Sequence, residues 1–153
     1  MSASTTNGST PEHIDPKAVA AECNNAAWGL IETPELSDAQ VAQLVSLAAT
    51  ARLFWRKIGT ENQIAHAELL FGWAMARAGS TAAQHSAELA LDGLKNGADW
   101  ERAFAHAAMA AAKAGYDPDA HAMHYATAEQ LGATLAEGDA KYFTPAFATV
   151  PKP

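Results

Sequence analysis

The chain has 153 residues, 49 % of them hydrophobic and 18 % charged, a balance that suits one globular domain able to bury its own core. Its formal net charge of −7 at pH 7 argues against nucleic acid and anionic membrane as partners, since both draw affinity from clustered Lys and Arg. A lone cysteine, Cys23, excludes an intrachain disulfide, and no apolar run is long enough to cross a bilayer.

Residues 1–15 are rich in Ser, Thr, Asn, Gly and Pro and read as a disordered tail, leaving residues 16–150 as a single helical domain. The opening MSASTTNGST has neither the basic region nor the apolar segment of a secretory leader, so a reducing cytoplasm is the expected compartment. A first helix is predicted from Pro16 to Ile31, capped by Asp15, with Val19, Cys23, Ala26, Ala27 and Leu30 as its buried stripe. Pro34 ends it.

Ser37 caps a second helix, in which Val41, Leu44, Ala48, Ala51, Trp55 and Ile58 hold helical spacing as far as Gly59. Thr60 with Gln63 forms a capping box for a third, running to Ala78. A fourth is expected from Thr81 to Lys95, a fifth from Asp99 to Ala114, and a sixth from Pro118, capped by Asp117, to about Ala136. Asp139 to Phe147 reads as a short seventh helix broken by Pro145. The aromatics Tyr142, Phe143 and Phe147 are too many for a solvated tail. They predict a C-terminal cap docked on its own domain, with insertion into a neighbouring molecule as the alternative.

The stretch from Ala65 to Ala133 carries an internal repeat. Laying the segment from His66 over that from Arg102 superposes Ala78-Gly79 on Ala114-Gly115, His85 on His121 and Arg77 on Lys113, a period of 36 residues. A basic residue and Ala-Gly between two apolar-periodic segments at such a period is the pattern of a tetratricopeptide-type helical hairpin. The expected architecture is an all-α, right-handed array of about three antiparallel hairpins with a C-terminal capping segment.

The segments NNAAWGLIETPELSDAQ, FWRKIGTENQIAHAE, RAGSTAAQHSAELAL and DWERAFAHAAMAAAKAG resemble an uncharacterised bacterial family with tetratricopeptide-like hairpins, over roughly Asn24 to Val150. The resemblance implies that fold and a binding or scaffolding role. Members of that family carry histidines in the segment matching Ala48 to Trp55, where this chain has Ala and Phe54. Chemistry resting on those histidines is therefore not implied here.

Candidate chemistry is sparse. His121 and His124, three apart on one helix face, have a spacing that two imidazoles on one metal can use, but the carboxylate-histidine motifs of bundle metal centres are missing. Cys23 lies in an apolar stripe with no glycine-rich elbow or loop-borne base beside it. Neither a catalytic group nor a cofactor is expected, and the chain reads as a non-enzyme. Arg52, Arg56 and Lys57 beside Trp55 make one basic patch, which also suits a solvated helix end.

A protein-interaction module is the preferred reading. The first helices of tetratricopeptide hairpins line a concave face, where Asn24, Trp28, Asn62, His66, Trp73 and His106 are the polar and aromatic residues at hand. With Arg52 and Trp55 they form the candidate surface for a protein or peptide segment. A structural homo-oligomer, such as a homodimer, and a small-molecule or metal sensor are the alternatives.

Overall fold

Asp15 followed by Pro16 supplies both halves of a helix start. Asp15 Oδ1 accepts the Lys17 N–H at 3.0 Å, and proline needs no donor at the first helical position. In the computed structural model, which describes residues 13–153, α1 accordingly spans Pro16–Ile31. Of the tail expected over residues 1–15, residues 1–12 lie outside the described residues. Ser37 with Gln40, and Thr60 with Gln63, close reciprocal capping boxes on α2 (Asp38–Ile58) and α3 (Glu61–Arg77). The chain continues through α4 (Ala83–Leu94), α5 (Asp99–Lys113), α6 (Pro118–Ala133) and α7 (Glu137–Phe147), with no strand among the described residues.

Some helix ends depart from the sequence reading. Thr81 does not open the fourth helix; Ser80 Oγ accepts from Ala82 N–H, and the helix starts at Ala83 without a side-chain cap. The sixth stops three residues early, at Ala133. Pro145 does not break the seventh. It lies near the C-terminal end of α7, where its missing N–H costs a single bond to the carbonyl four residues back.

The two Ala-Gly turns are different devices. After α3, Gly79 at φ 71° lets its N–H reach Ala76 and lets the Ser80 N–H reach the Met75 carbonyl, a Schellman closure. After α5, Ala114 (φ −57°, ψ 123°) and Gly115 (φ 78°) form a type II turn closed by Tyr116 N–H on the Lys113 carbonyl. Both need a residue that tolerates positive φ.

Each helix packs on its sequence neighbour from α1 through α6, and a second set of contacts joins α1 to α3, α3 to α5 and α5 to α7. α5 is buried nearly all round by small residues, among them Ala103, Ala105, Ala107, Ala108 and Ala110 at 0 % exposure, which let neighbouring axes approach closely. Gly72 serves the same end. A Cβ there would come within 2.8 Å of the Ala87 backbone nitrogen on α4. Leu44, Leu69, Leu70 and Leu94 are fully buried in the same core as Trp73, each contributing roughly 1.5–3 kcal/mol.

α1 buries a narrower stripe than expected, rotated by one residue. Ala20, Ala27 and Ile31 are buried, Val19, Cys23 and Leu30 are half-buried, and Ala26 is exposed. An end helix packs chiefly on α2 and α3 and reaches α5 through Trp28 alone among the aromatic contacts, so a thin line of buried residues suffices. The C-terminal aromatics dock on this chain's own α5 and α6. Phe143 meets Phe104 edge-on at 5.2 Å, Phe147 lies 4.7 Å from Tyr125, and the Pro151 carbonyl accepts from His121 Nε2 at 2.7 Å.

Candidate functional site

The second set of contacts brings α1, α3, α5 and α7 side by side, and between them lies a cavity of about 510 Å³. Its walls follow from helical spacing. Trp100 and Phe104 stand four apart on α5 and turn the same face, while Asn25, Trp28, Gly29 and Glu32 form one stripe along α1. α7 adds Asp139 and Tyr142, three apart. The aromatic rings hold one another in place: Trp28 is edge-on to Phe104 at 5.4 Å, and Trp100 is edge-on to Phe104 at 6.3 Å. His66 enters from α3, stacked on Trp100 with centroids 5.3 Å apart.

His66 is oriented from behind. Its Nε2–H donates to Glu101 Oε1 at 2.8 Å, since an ionised carboxylate can only accept, and Asn62 Nδ2 donates to the same oxygen at 2.9 Å. Glu101 Oε2 accepts the Ala98 N–H, so one buried side chain both starts α5 and positions the cavity imidazole. Burial by itself raises the pKa of Glu101. The hydrogen bonds from Asn62, His66 and Ala98, with the field of His66, outweigh that and hold it below the usual carboxylate range.

The cavity's charge is one-sided. Glu32 and Asp139 line it, no Lys or Arg does, and neither carboxylate has an ion-pair partner among the described residues. A second cavity of about 490 Å³ lies where α3 and α5 end near Thr149 and Pro151. Its one charged side chain, Arg77, is already occupied by the carbonyls of Ile31, Thr33 and Pro34 at 2.8, 2.8 and 3.2 Å.

Of the eight residues the sequence nominated, Trp28 and His66 line the larger cavity and Asn62 supports it from behind. The others fall elsewhere. Trp73 is 0 % exposed in the core, with no hydrogen-bond partner for its indole N–H. Arg52 Nε is 2.9 Å from both oxygens of Glu68, and Arg56 reaches Glu68 at 2.7 Å, so the basic patch is largely an internal ion cluster. Trp55 is half-buried on α2 and Asn24 half-buried on α1, both outside the cavity wall. His106 Nδ1 pairs with His124 Nδ1 at 2.9 Å.

His121 and His124 do not converge. One points to the Pro151 carbonyl and the other to His106, and no cluster of three or more His, Cys, Asp or Glu suited to a metal forms among the described residues. Burial lowers the pKa of both His106 and His124. The positive field of His124 and Arg102 adds to this at His106; at His124, Lys113 adds to it and Asp117 partly opposes it.

Sequence reasoning missed Gly29, Glu32, Asp139 and Tyr142 and took Trp100 and Phe104 for plain core. One signal was present in α1. A glycine inside the helix and an acid at its C-terminal cap, with no basic residue in the last turn, both run against helix energetics. Comparison with protein-family models, with curated proteins and with solved structures finds no match for this chain.

Proposed function

We propose that the chain is a protein-interaction module that captures a segment of a partner polypeptide in the cavity between α1, α3, α5 and α7. The observation that carries this reading is the cavity itself, about 510 Å³ and walled by Trp28, Trp100, Phe104 and Tyr142. Such aromatic, concave surfaces concentrate binding energy in a few anchors. His66, held by Glu101, and Asn25 offer polar groups to a bound backbone.

The order of packing supports a tetratricopeptide-like, right-handed array, with α1–α2, α3–α4 and α5–α6 as three antiparallel hairpins and α7 as the cap. In that architecture α1, α3 and α5 make the inner layer, the surface on which such arrays hold extended or helical peptides. The role is that of an adaptor or scaffold rather than an enzyme.

The test is selection from a random peptide library on the full chain, with each enriched peptide then measured against Gly29→Leu and Trp28→Ala. Gly29 suits this because a Cβ there meets nothing within 4 Å, so a larger side chain enters open space and leaves the core untouched. Enriched peptides are expected to lose most of their affinity for both variants. Peptides that bind Gly29→Leu as well as the wild type would place recognition elsewhere, and a library that yields no binder would overturn the reading.

A further inference from the structure

We infer that the anchor the cavity selects is a cationic side chain, Arg or Lys, presented by the partner polypeptide; this rests on the reading above and specifies its chemistry. Aromatic faces are the first ground. A ring's quadrupole attracts a cation over its face, most strongly for Trp, and Trp28, Trp100 and Tyr142 all line the space. Tyr142 already holds one such contact, with Lys141 Nζ 4.9 Å from its centroid.

Charge is the second ground. Glu32 and Asp139 bring two carboxylates to the wall, and neither has an ion-pair partner among the described residues. The net charge of −7 gives the surrounding field the same sign, so an acidic segment is repelled and a basic one steered inward. A purely apolar anchor would offer these carboxylates no partner.

The last turn of α1 is the third ground. Gly29 is a poor helix residue whose absent side chain no neighbour demands, since a Cβ would meet nothing within 4 Å. Glu32, at the C-cap, sits where the helix dipole disfavours an anion. Both line the cavity. Two departures from local preference in one turn, at one site, are what a binding requirement leaves behind. Gly29 leaves its part of the wall without a side chain, and the C-terminal carbonyls of α1 add to the potential that Glu32 creates.

Short peptides of Gly, Ser and Ala that differ only at one central residue, Arg, Lys, citrulline, norleucine or Glu, are titrated into the isotope-labelled full chain. Free n-butylguanidinium is a further probe. The Arg and Lys peptides are expected to shift the Gly29 amide and the Trp28 and Trp100 indole signals saturably, more weakly as salt rises, with citrulline and Glu peptides far weaker. Glu32→Gln combined with Asp139→Asn should weaken the Arg peptide about tenfold or more, and Glu129→Gln on α6 should leave it unchanged. The thermal midpoint of each variant confirms that it folds.

A norleucine peptide binding as tightly as the Arg peptide, or an unchanged affinity in the double variant, overturns the cation inference while the polypeptide reading stands. Binding of n-butylguanidinium with no response to any peptide overturns the polypeptide occupant. Silence from every probe overturns both.

Discussion

The two sides of α3 treat charge in opposite ways. Toward α2, Glu68 is buried at 2 % exposure and receives Arg52 through both oxygens and Arg56 through one, while the Arg52 guanidinium also covers Phe71 at 4.7 Å. Toward α1, α5 and α7, Glu32 and Asp139 stand at an aromatic cavity with no ion-pair partner among the described residues. Charges neutralised within the chain hold elements together. Charges left over beside a concave aromatic surface are available to something that the chain does not contain.

Two aromatic truncations, one at a tryptophan and one at a tyrosine, break the comparison most forcefully. Trp73, at 0 % exposure, should cost about 3–5 kcal/mol when truncated to Ala, read from urea unfolding. Tyr142, at 59 % exposure, should cost less than about 0.5 kcal/mol as Tyr142→Ala while lowering peptide affinity. Equal losses of stability would mean that the cavity wall is simply more core.

The ion cluster comes next. Arg52→Met with Arg56→Met strands the Glu68 carboxylate in the interior and should cost about 3 kcal/mol, whereas Glu68→Gln, which leaves half-exposed guanidiniums free to reach water, should cost about 1–2 kcal/mol. Glu32→Gln should change stability by under about 0.5 kcal/mol. A double Arg variant as stable as the wild type would remove the distinction between the two sides of α3.

A subtler difference lies at the α5–α6 contact, where His106 and His124 share a hydrogen bond that needs at least one neutral ring. Both pKa values are lowered by burial first, with neighbouring cations adding to it. The folded state therefore binds fewer protons than the unfolded state as pH falls through the ordinary value of 6.5. Stability is complete above that value and is lost as pH drops below it toward the folded pKa values. The thermal midpoint should fall between about pH 7.5 and about pH 5, and less so in His124→Gln, whose amide stays neutral. An equal fall in both proteins would assign the effect to other groups.

Much of this was legible in the chain. Capping chemistry at Asp15, Ser37, Thr60 and Asp117, and glycine after Arg77 and Lys113, mark helix ends because each satisfies or releases a named backbone group. Before Ala83 no side chain caps the helix, and after Ala133 the Thr134 hydroxyl closes the last turn on the Leu131 carbonyl, which no sequence pattern announced; there the expected ends slipped by two or three residues. The cavity was only partly legible, for a physical reason. Periodicity reports that Trp100 and Phe104 share a face with the core, but not that the space before them stays unfilled. That depends on the side-chain volumes of α1 and α7, which meet α5 only in the folded chain. The eight nominated residues were chosen for their chemistry, and partners inside the molecule claim several of them: Arg52 by Glu68, Asn62 by Glu101, His106 by His124.

Gly29 separates stability from binding most finely. Trp28, His66, Trp100 and Phe104 pack on one another, so their removal perturbs both; Gly29 has open space where its side chain would be. Its backbone does not occupy the positive-φ region, so alanine fits without strain. Gly29→Ala should raise stability by about 0.5 kcal/mol, because alanine loses less backbone entropy on entering a helix. The same methyl group adds to the wall that Gly29 gives the cavity and should weaken peptide binding, with Gly29→Leu removing most of it. A gain in stability paired with a loss of binding is the result that packing defects cannot produce, since they lower both. If Gly29→Ala instead stabilises the chain and leaves binding intact, the last turn of α1 is not part of the binding surface, and the anchor lies nearer Asp139 and Tyr142 on α7.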